Sequence, residues 1–335
     1  MNKRILKIGI ICLLMLCTLT VTSCKKEVVV EENFPEMVAN MKSYKLVGKL
    51  ESMFPSGTKE CMVTVYYKQP HMYRVELKNA GSNEPQIMIK NNDGVYVLLP
   101  TVNKIFKVNT SWPVNSSYPY LLQSLSKDII SDDNTIVTKD GDTTTLEFKA
   151  QLFDNAVATK QKVMFNSKTG LPKEVVIYDD KDTTIVRFVV ESIDIDGEVS
   201  NELFTVDTSL TAARLSYEDE PLVFDRAITY PTYYPTDSSL IQEVISGTND
   251  NKKVIMKYDG SAPFTIIEQY VNVSDVTKTQ YIAADIYTMG GAICFVSNNN
   301  ISFYDNGIEY TLASSSLDYK TLIQMGESLR TYGLK

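Results

Sequence analysis

The sequence predicts a mainly β chain of the α+β class, organised as two successive antiparallel β units, each covered by helix. Three observations carry this. Short runs rich in β-branched and aromatic residues recur between residues 44 and 195 and again between 253 and 312, bounded by turn residues. One helical period interrupts the first set of runs. Another follows the second set.

Ahead of the first run lies a different kind of segment. Lys3, Arg4 and Lys7 precede an uncharged, mostly apolar run over 8–21, which ends in small residues before Cys24 and then turns basic at Lys25 and Lys26. Basic head, oily middle and small-residue end are the parts of a secretory signal peptide, and the run is shorter than the roughly 20 apolar residues that span a bilayer. Residues 1–23 are therefore expected to be removed. Val21-Thr22-Ser23-Cys24 resembles the lipobox of bacterial lipoproteins, which implies a diacylated thiol on Cys24 and a chain held on the outer face of the membrane. Residues 24–33 then read as a lipidated tether, reaching at most about 30 Å when extended.

A helix is expected over 34–43, with Pro35 at its start. Strands follow at 44–50, 61–67, 72–78, 86–90, 95–99 and 104–108. In the third, Tyr73, Val75 and Leu77 alternate with Arg74, Glu76 and Lys78, so one face is buried and the other wet. Asn91-Asn92-Asp93-Gly94 signals a hairpin turn. Leu121, Leu122, Leu125 and Ile129 then fall at helical spacing and predict a helix covering one face of the sheet. Strands resume at 143–152, 159–166, 174–178 and 184–195. The runs 61–67, 95–99 and 185–190 are apolar on both faces, which calls for helices, a second sheet or a greasy ligand on each side. Val97 and Val186 are the candidate lining of any hollow so formed. Alternation is lost between 201 and 221. Beyond it a small α+β unit of ordinary domain size has strands at 253–258, 264–270, 279–286, 292–297, 300–304 and 307–312. A helix over 317–332 closes it, with Ser315 and Asp318 as its capping box and Tyr319, Leu322, Met325 and Leu329 as its apolar face.

The composition excludes several classes of function. The chain carries 33 basic and 41 acidic residues, and loss of the three basic residues of the signal leaves a net charge near −11. Such a surface argues against nucleic acid and against flat adhesion to anionic lipid heads. Of five cysteines, Cys12 and Cys17 leave with the signal, Cys24 is expected to be acylated, and Cys61 and Cys294 read as buried thiols, with one disulfide the alternative. The single histidine, His71, follows Pro70 at a strand start and reads as a surface residue. Asp179, Asp180 and Asp182, and Asp194 with Asp196, sit at turns without the regular spacing of a calcium loop. No motif for a metal, cofactor or catalytic nucleophile is found, so no enzyme and no cofactor is expected.

Taken together, the lipobox, the first helix, the stretch from Asp93 to Lys107, the covering helix near Tyr120 to Ile130 and the hairpin Phe165 to Val175 resemble the LolA-like lipoproteins of Gram-positive spore formers. The second unit resembles the small C-terminal domain fused to that fold in sporulation lipoproteins. The resemblance implies a curved, incompletely closed antiparallel half-barrel over 34–215 with helices against its concave side, then a small α+β domain over 222–335. It also implies a non-enzymatic, membrane-anchored protein of the cell envelope. The expected role is that of a sporulation or germination factor binding an envelope protein, such as the cell-wall amidase bound by lipoproteins of the GerS type. A carrier of lipid or lipoprotein acyl chains and an extracytoplasmic regulator of a signalling protein are the alternatives it offers.

Overall fold

The computed structural model describes residues 29–79, 85–113, 116–150, 160–215, 227–248, 251–271 and 277–331. The expected signal peptide, Cys24 and most of the expected tether fall outside the described residues, as does the expected boundary between the two units.

The first helix, α1 (Val30–Asn40), begins four residues before the expected start because Val30 joins Phe34 and Val38 in one buried stripe. Pro35 consequently sits inside it. Burying three such side chains stabilises by about 1.5–3 kcal/mol each, which offsets the roughly 3 kcal/mol that an internal proline costs.

Six strands follow in meander order: β1 (Ser43–Phe54), β2 (Gly57–Lys68), β3 (Met72–Asn79), β4 (Gln86–Asn91), β5 (Gly94–Leu99) and β6 (Lys104–Asn109). The covering helix α2 (Leu122–Ser131) comes next. Then come β7 (Ile136–Asp140), β8 (Thr143–Phe148), β9 (Lys160–Asn166), β10 (Pro172–Tyr178) and β11 (Thr184–Ile195), followed by α3 (Val206–Leu215). The last part comprises β12 (Thr229–Pro231), β13 (Ser239–Ser246), β14 (Lys253–Asp259), β15 (Phe264–Tyr270), β16 (Lys278–Ala283), β17 (Asp285–Met289), β18 (Ala292–Ser297), β19 (Asn300–Asp305) and β20 (Ile308–Ala313). Helix α4 (Tyr319–Glu327) and β21 (Leu329–Thr331) complete it.

The larger sheet has twelve strands in the order β16-β6-β5-β4-β3-β2-β1-β11-β10-β9-β8-β7. Its outer strands do not pair with each other, so the curved sheet remains a half-barrel, the fold class expected. The smaller sheet has seven strands in the order β13-β14-β15-β20-β19-β18-β17, with α4 packed across β19 and β20.

Of the runs expected to be covered on both faces, 95–99 is covered on each side and 61–67 partly so through Tyr66, whereas 185–190 packs on the concave side only. The concave face joins α1 and α2 in the main core, while Ile87, Ile89, Leu98 and Ile105 on the convex face pack against Phe204 and Leu210. Polar anchors hold that second cover in place: Arg74 Nη1 donates to the Leu203 carbonyl at 3.1 Å and Asn91 Nδ2 to that of Phe204 at 3.0 Å.

The C-terminal part departs from expectation in two respects. The expected strand over 279–286 breaks at Ala284, and its first half, β16, leaves the smaller sheet to pair in parallel with β6. This extends the large sheet across the expected boundary by satisfying an otherwise open edge. The last helix is capped by Asp318, whose carboxylate accepts from Thr321 N at 2.7 Å, and not by Ser315. Ser314 Oγ holds the preceding turn, accepting from Ser316 N and Leu317 N.

Candidate functional site

The concave side of the half-barrel is the place where a ligand would sit, and the chain's own side chains occupy it. A ladder of rings crosses it: Tyr44 lies 5.3 Å from Tyr67, Tyr67 5.0 Å from Tyr73, Tyr73 5.9 Å from Trp112, and Trp112 6.1 Å from Tyr118. It continues through Tyr120 to Phe188 at 6.2 Å. Edge-on and tilted aromatic pairs at these spacings add about 0.5–1.5 kcal/mol each beyond the area they bury. Leu122, Leu125 and Ile129 of α2 close the ladder from above. The Asp128 carboxylate pins that helix to β9, accepting from Gln161 Nε2 at 2.6 Å, and burial raises its pKa.

Val97 is fully buried in this core, and Val186 is nearly so. Val186 lines a small space together with Leu50, Ser52, Tyr118, Tyr120 and Thr288. Its volume is about 20 Å³, room for one water molecule.

The smaller sheet seals the same hollow from the side. Tyr118 Oη donates to the Ile286 carbonyl at 3.1 Å, and Tyr120 Oη shares a hydrogen bond of 2.8 Å with Thr288 Oγ1. Ile286, Ile293, Phe295 and Tyr304 belong to the main core, and Phe106 lies 5.1 Å from Phe295. Buried Gln86 bridges the sheets, donating to the Tyr304 carbonyl at 2.8 Å and accepting from Ile293 N at 2.7 Å.

The turn between β17 and β18 packs directly against β2 and β3. Gly290 and Gly291 both have positive φ, +53° and +93°. A Cβ on Gly291 would stand 1.6 Å from Asn79 Oδ1 and 2.8 Å from Cys61 Cβ, so only glycine fits. Beside it the fully buried Glu327 carboxylate pairs with Lys59 Nζ at 2.8 Å. A Gly-Gly pair between two strands was the sequence signal for this contact. The ladder left none, because Tyr and Trp spread over separate runs do not announce that they converge.

His71 is exposed on an open cleft of about 550 Å³ bordered by Val38, Tyr67, Gln123 and Ile130. Among the described residues no cluster of three or more His, Cys, Asp or Glu side chains could hold a metal ion. The turn carboxylates act as backbone caps: Asp179 accepts from Lys181 N and Thr183 N, and Asp196 from Lys42 N and Ser43 N. Cys61 and Cys294 are free and buried, and burial pushes the Cys61 thiol up to about 12. Glu268, also buried, accepts from Thr229 N at 3.0 Å and from Thr229 Oγ1, and burial pushes its carboxyl up to about 7.

Large apolar side chains stand exposed elsewhere: Ile130, Ile136 and Val137 at the α2–β7 end, Tyr281 on β16, and Leu240, Ile241, Val244 and Ile245 on β13. No helix among the described residues is long and apolar enough to cross a membrane.

Among solved structures, the chain is similar to the MucA/MucB complex of Pseudomonas aeruginosa, at 11% identity over 91% of this chain and 98% of that one, with a TM-score of 0.33. It is also similar to a putative outer membrane lipoprotein-sorting protein domain from Vibrio parahaemolyticus, at 11% identity over 55% and 98%, TM-score 0.34. A third is the CwlD amidase of Clostridioides difficile in complex with the GerS lipoprotein, at 16% identity over 51% and 94%, TM-score 0.25. In sequence it is 26% identical to the sporulation protein YdcC of Bacillus subtilis (strain 168) over 319 residues, 94% of either chain. The profile of the "Sporulation protein YdcC-like" family matches residues 3–204, from the basic head of the N-terminal segment through β11 to Phe204, and the chain belongs to that family.

Proposed function

We propose that this protein is a non-enzymatic, lipid-anchored protein of the extracytoplasmic face of the membrane. It serves sporulation or germination by binding another envelope protein. One observation carries the reading: among the described residues the interior beside Val186 is packed with the chain's own rings and covered by the smaller sheet, leaving about 20 Å³ there, and the cleft of about 550 Å³ between α1, α2 and Tyr67 is an open surface groove. Pockets for small-molecule ligands usually measure roughly 300–1,000 Å³. An acyl chain would have to expel buried rings such as Tyr118 and Tyr120 and break their hydrogen bonds to the smaller sheet. The half-barrel then works as a rigid scaffold, and its outer surfaces do the binding. Family membership supports the sporulation setting, and the complexes among the structural neighbours give precedent for partner proteins, of which a cell-wall amidase is one. The lipid on Cys24 is the membrane contact in this reading, and the acidic body stands off the bilayer.

The test is affinity capture from sporulating cells with the wild-type chain and with a Val97→Asp variant that has lost its fold. Capture of one envelope protein by the folded chain alone supports the reading. Capture of no protein, together with co-purified lipid, would replace it with the carrier.

A further inference from the structure

β13 is the outermost strand of the smaller sheet, paired only with β14. All eight of its residues are exposed, including Leu240 at 41%, Ile241 at 63%, Val244 at 42% and Ile245 at 52%. Helix α4 lies over β19 and β20, three to four strands away, or roughly 14–19 Å at the usual strand spacing. A helix about 10–12 Å across cannot cover the edge from there. Edge strands are ordinarily protected by proline, lysine, bulges, inward-pointing charges or a covering element; Ser239–Ser246 contains neither proline nor lysine, and its protection is limited to a bulge and to Glu243, which accepts from Tyr230 Oη at 2.8 Å. Its one irregularity is a bulge at Ile241.

The two faces of this edge differ. Glu243 and Ile245 stand opposite Met256 and Val254 on the core side. Ser239, Gln242, Val244 and Ser246 stand opposite Asp259, Lys257, Ile255 and Lys253 on the other side, which is basic by one charge. Lys253 and Lys257 make no ion pair among the described residues, in a chain whose net charge is negative.

We propose that β13 is a docking edge that accepts an extended segment of a partner protein as an added strand. That segment carries acidic side chains on the face shared with Lys253 and Lys257 and apolar ones against Leu240 and Ile245. The proposal rests on the partner-binding reading and names its surface. Main-chain hydrogen bonds along the open edge supply affinity, and alternate side chains supply selectivity. The lysines reach over the small Ser246 and the neutral Gln242 toward the incoming strand, within the roughly 10 Å over which charges act at ordinary salt. A second copy of this chain fits less well. Two-fold antiparallel pairing must match like faces, and the longest register compatible with the bulge sets Glu243 directly against its own mate, which is destabilising.

Amide hydrogen exchange on the full chain in detergent tests this, using two capped octapeptides at millimolar concentration, one alternating Val with Glu and one alternating Val with Lys. The acidic peptide is expected to slow exchange of the outward amides of 239–246 at least tenfold, the basic peptide by far less, and neither should protect 136–140. Ile245→Lys should abolish the effect while leaving the thermal midpoint within a few degrees. Equal protection by both peptides, protection of neither, or protection without peptide that grows with protein concentration would each overturn the assignment. Should the wild type and Ile245→Lys capture the same envelope protein equally well, the edge assignment falls and the partner-binding reading stands.

Discussion

Glu268→Gln gives a stability change whose size depends on pH. The Glu268 side chain is fully buried, and one of its oxygens accepts from Thr229 N and Oγ1 while the other has no hydrogen-bond partner. Burial moves its pKa from 4.5 to about 7. A carboxyl whose folded pKa is raised binds more protons in the folded state, so its contribution is fully present below pH 4.5 and is lost as pH rises through 7. With about 1.4 kcal/mol per pH unit, the wild type gives up roughly 0.8 kcal/mol by pH 5 and roughly 3.3 kcal/mol by pH 8. Gln keeps the accepting oxygen and cannot ionise. Urea unfolding at the two pH values should therefore show the variant gaining about 2.5 kcal/mol on the wild type between pH 5 and pH 8. A difference that stays flat, or that grows toward acid, would refute the assignment of burial as the dominant cause.

The other predictions concern the seal and the anchor. Gly291→Ala should destabilise by about 2–4 kcal/mol in urea titration, because its Cβ collides with Asn79 and Cys61 at positive φ, whereas Gly141→Ala, in open space, should cost about 1 kcal/mol. Neither Cys61 nor Cys294 should react with a thiol reagent at pH 8 until denaturant is added; prompt labelling of either would show that the sheets part readily. Cys24→Ser should move the protein from the membrane to the soluble fraction, and a variant that remains membrane-bound would remove the lipid anchor from the account.

The alternation of Tyr73, Val75 and Leu77 and the covering helix near Leu122 to Ile129 were readable from sequence, but the opposite face of that strand is not wet throughout as expected, since Arg74 is buried and bonds the Leu203 carbonyl. The demand for a second partner holds for 95–99, and for 61–67 through Tyr66, but not for 185–190, whose apolar side chains join only the main core; sequence could not say that Phe204 and Leu210 supply the convex cover, because 201–215 shows no strong period. β7 and β13 escaped notice for a related reason. Both are exposed on each face, so burial imposes no alternation on Ile136–Asp140 or Ser239–Ser246. The departure of β16 to the other sheet depends on an open edge at β6, a fact of tertiary pairing. Val97 and Val186, expected to line a hollow, both lie in the main core; what surrounds them includes Trp112, Tyr118 and Tyr120, whose convergence only the fold reveals.

The central claim is that the hollow is occupied by the protein itself. Native mass spectrometry of the chain from Lys25 onward, purified without detergent from a spore-forming host, tests it most directly. The account predicts a single mass equal to that of the polypeptide alone; a co-purified lipid of defined mass, lost on Val186→Asp in a variant that still folds, would contradict it.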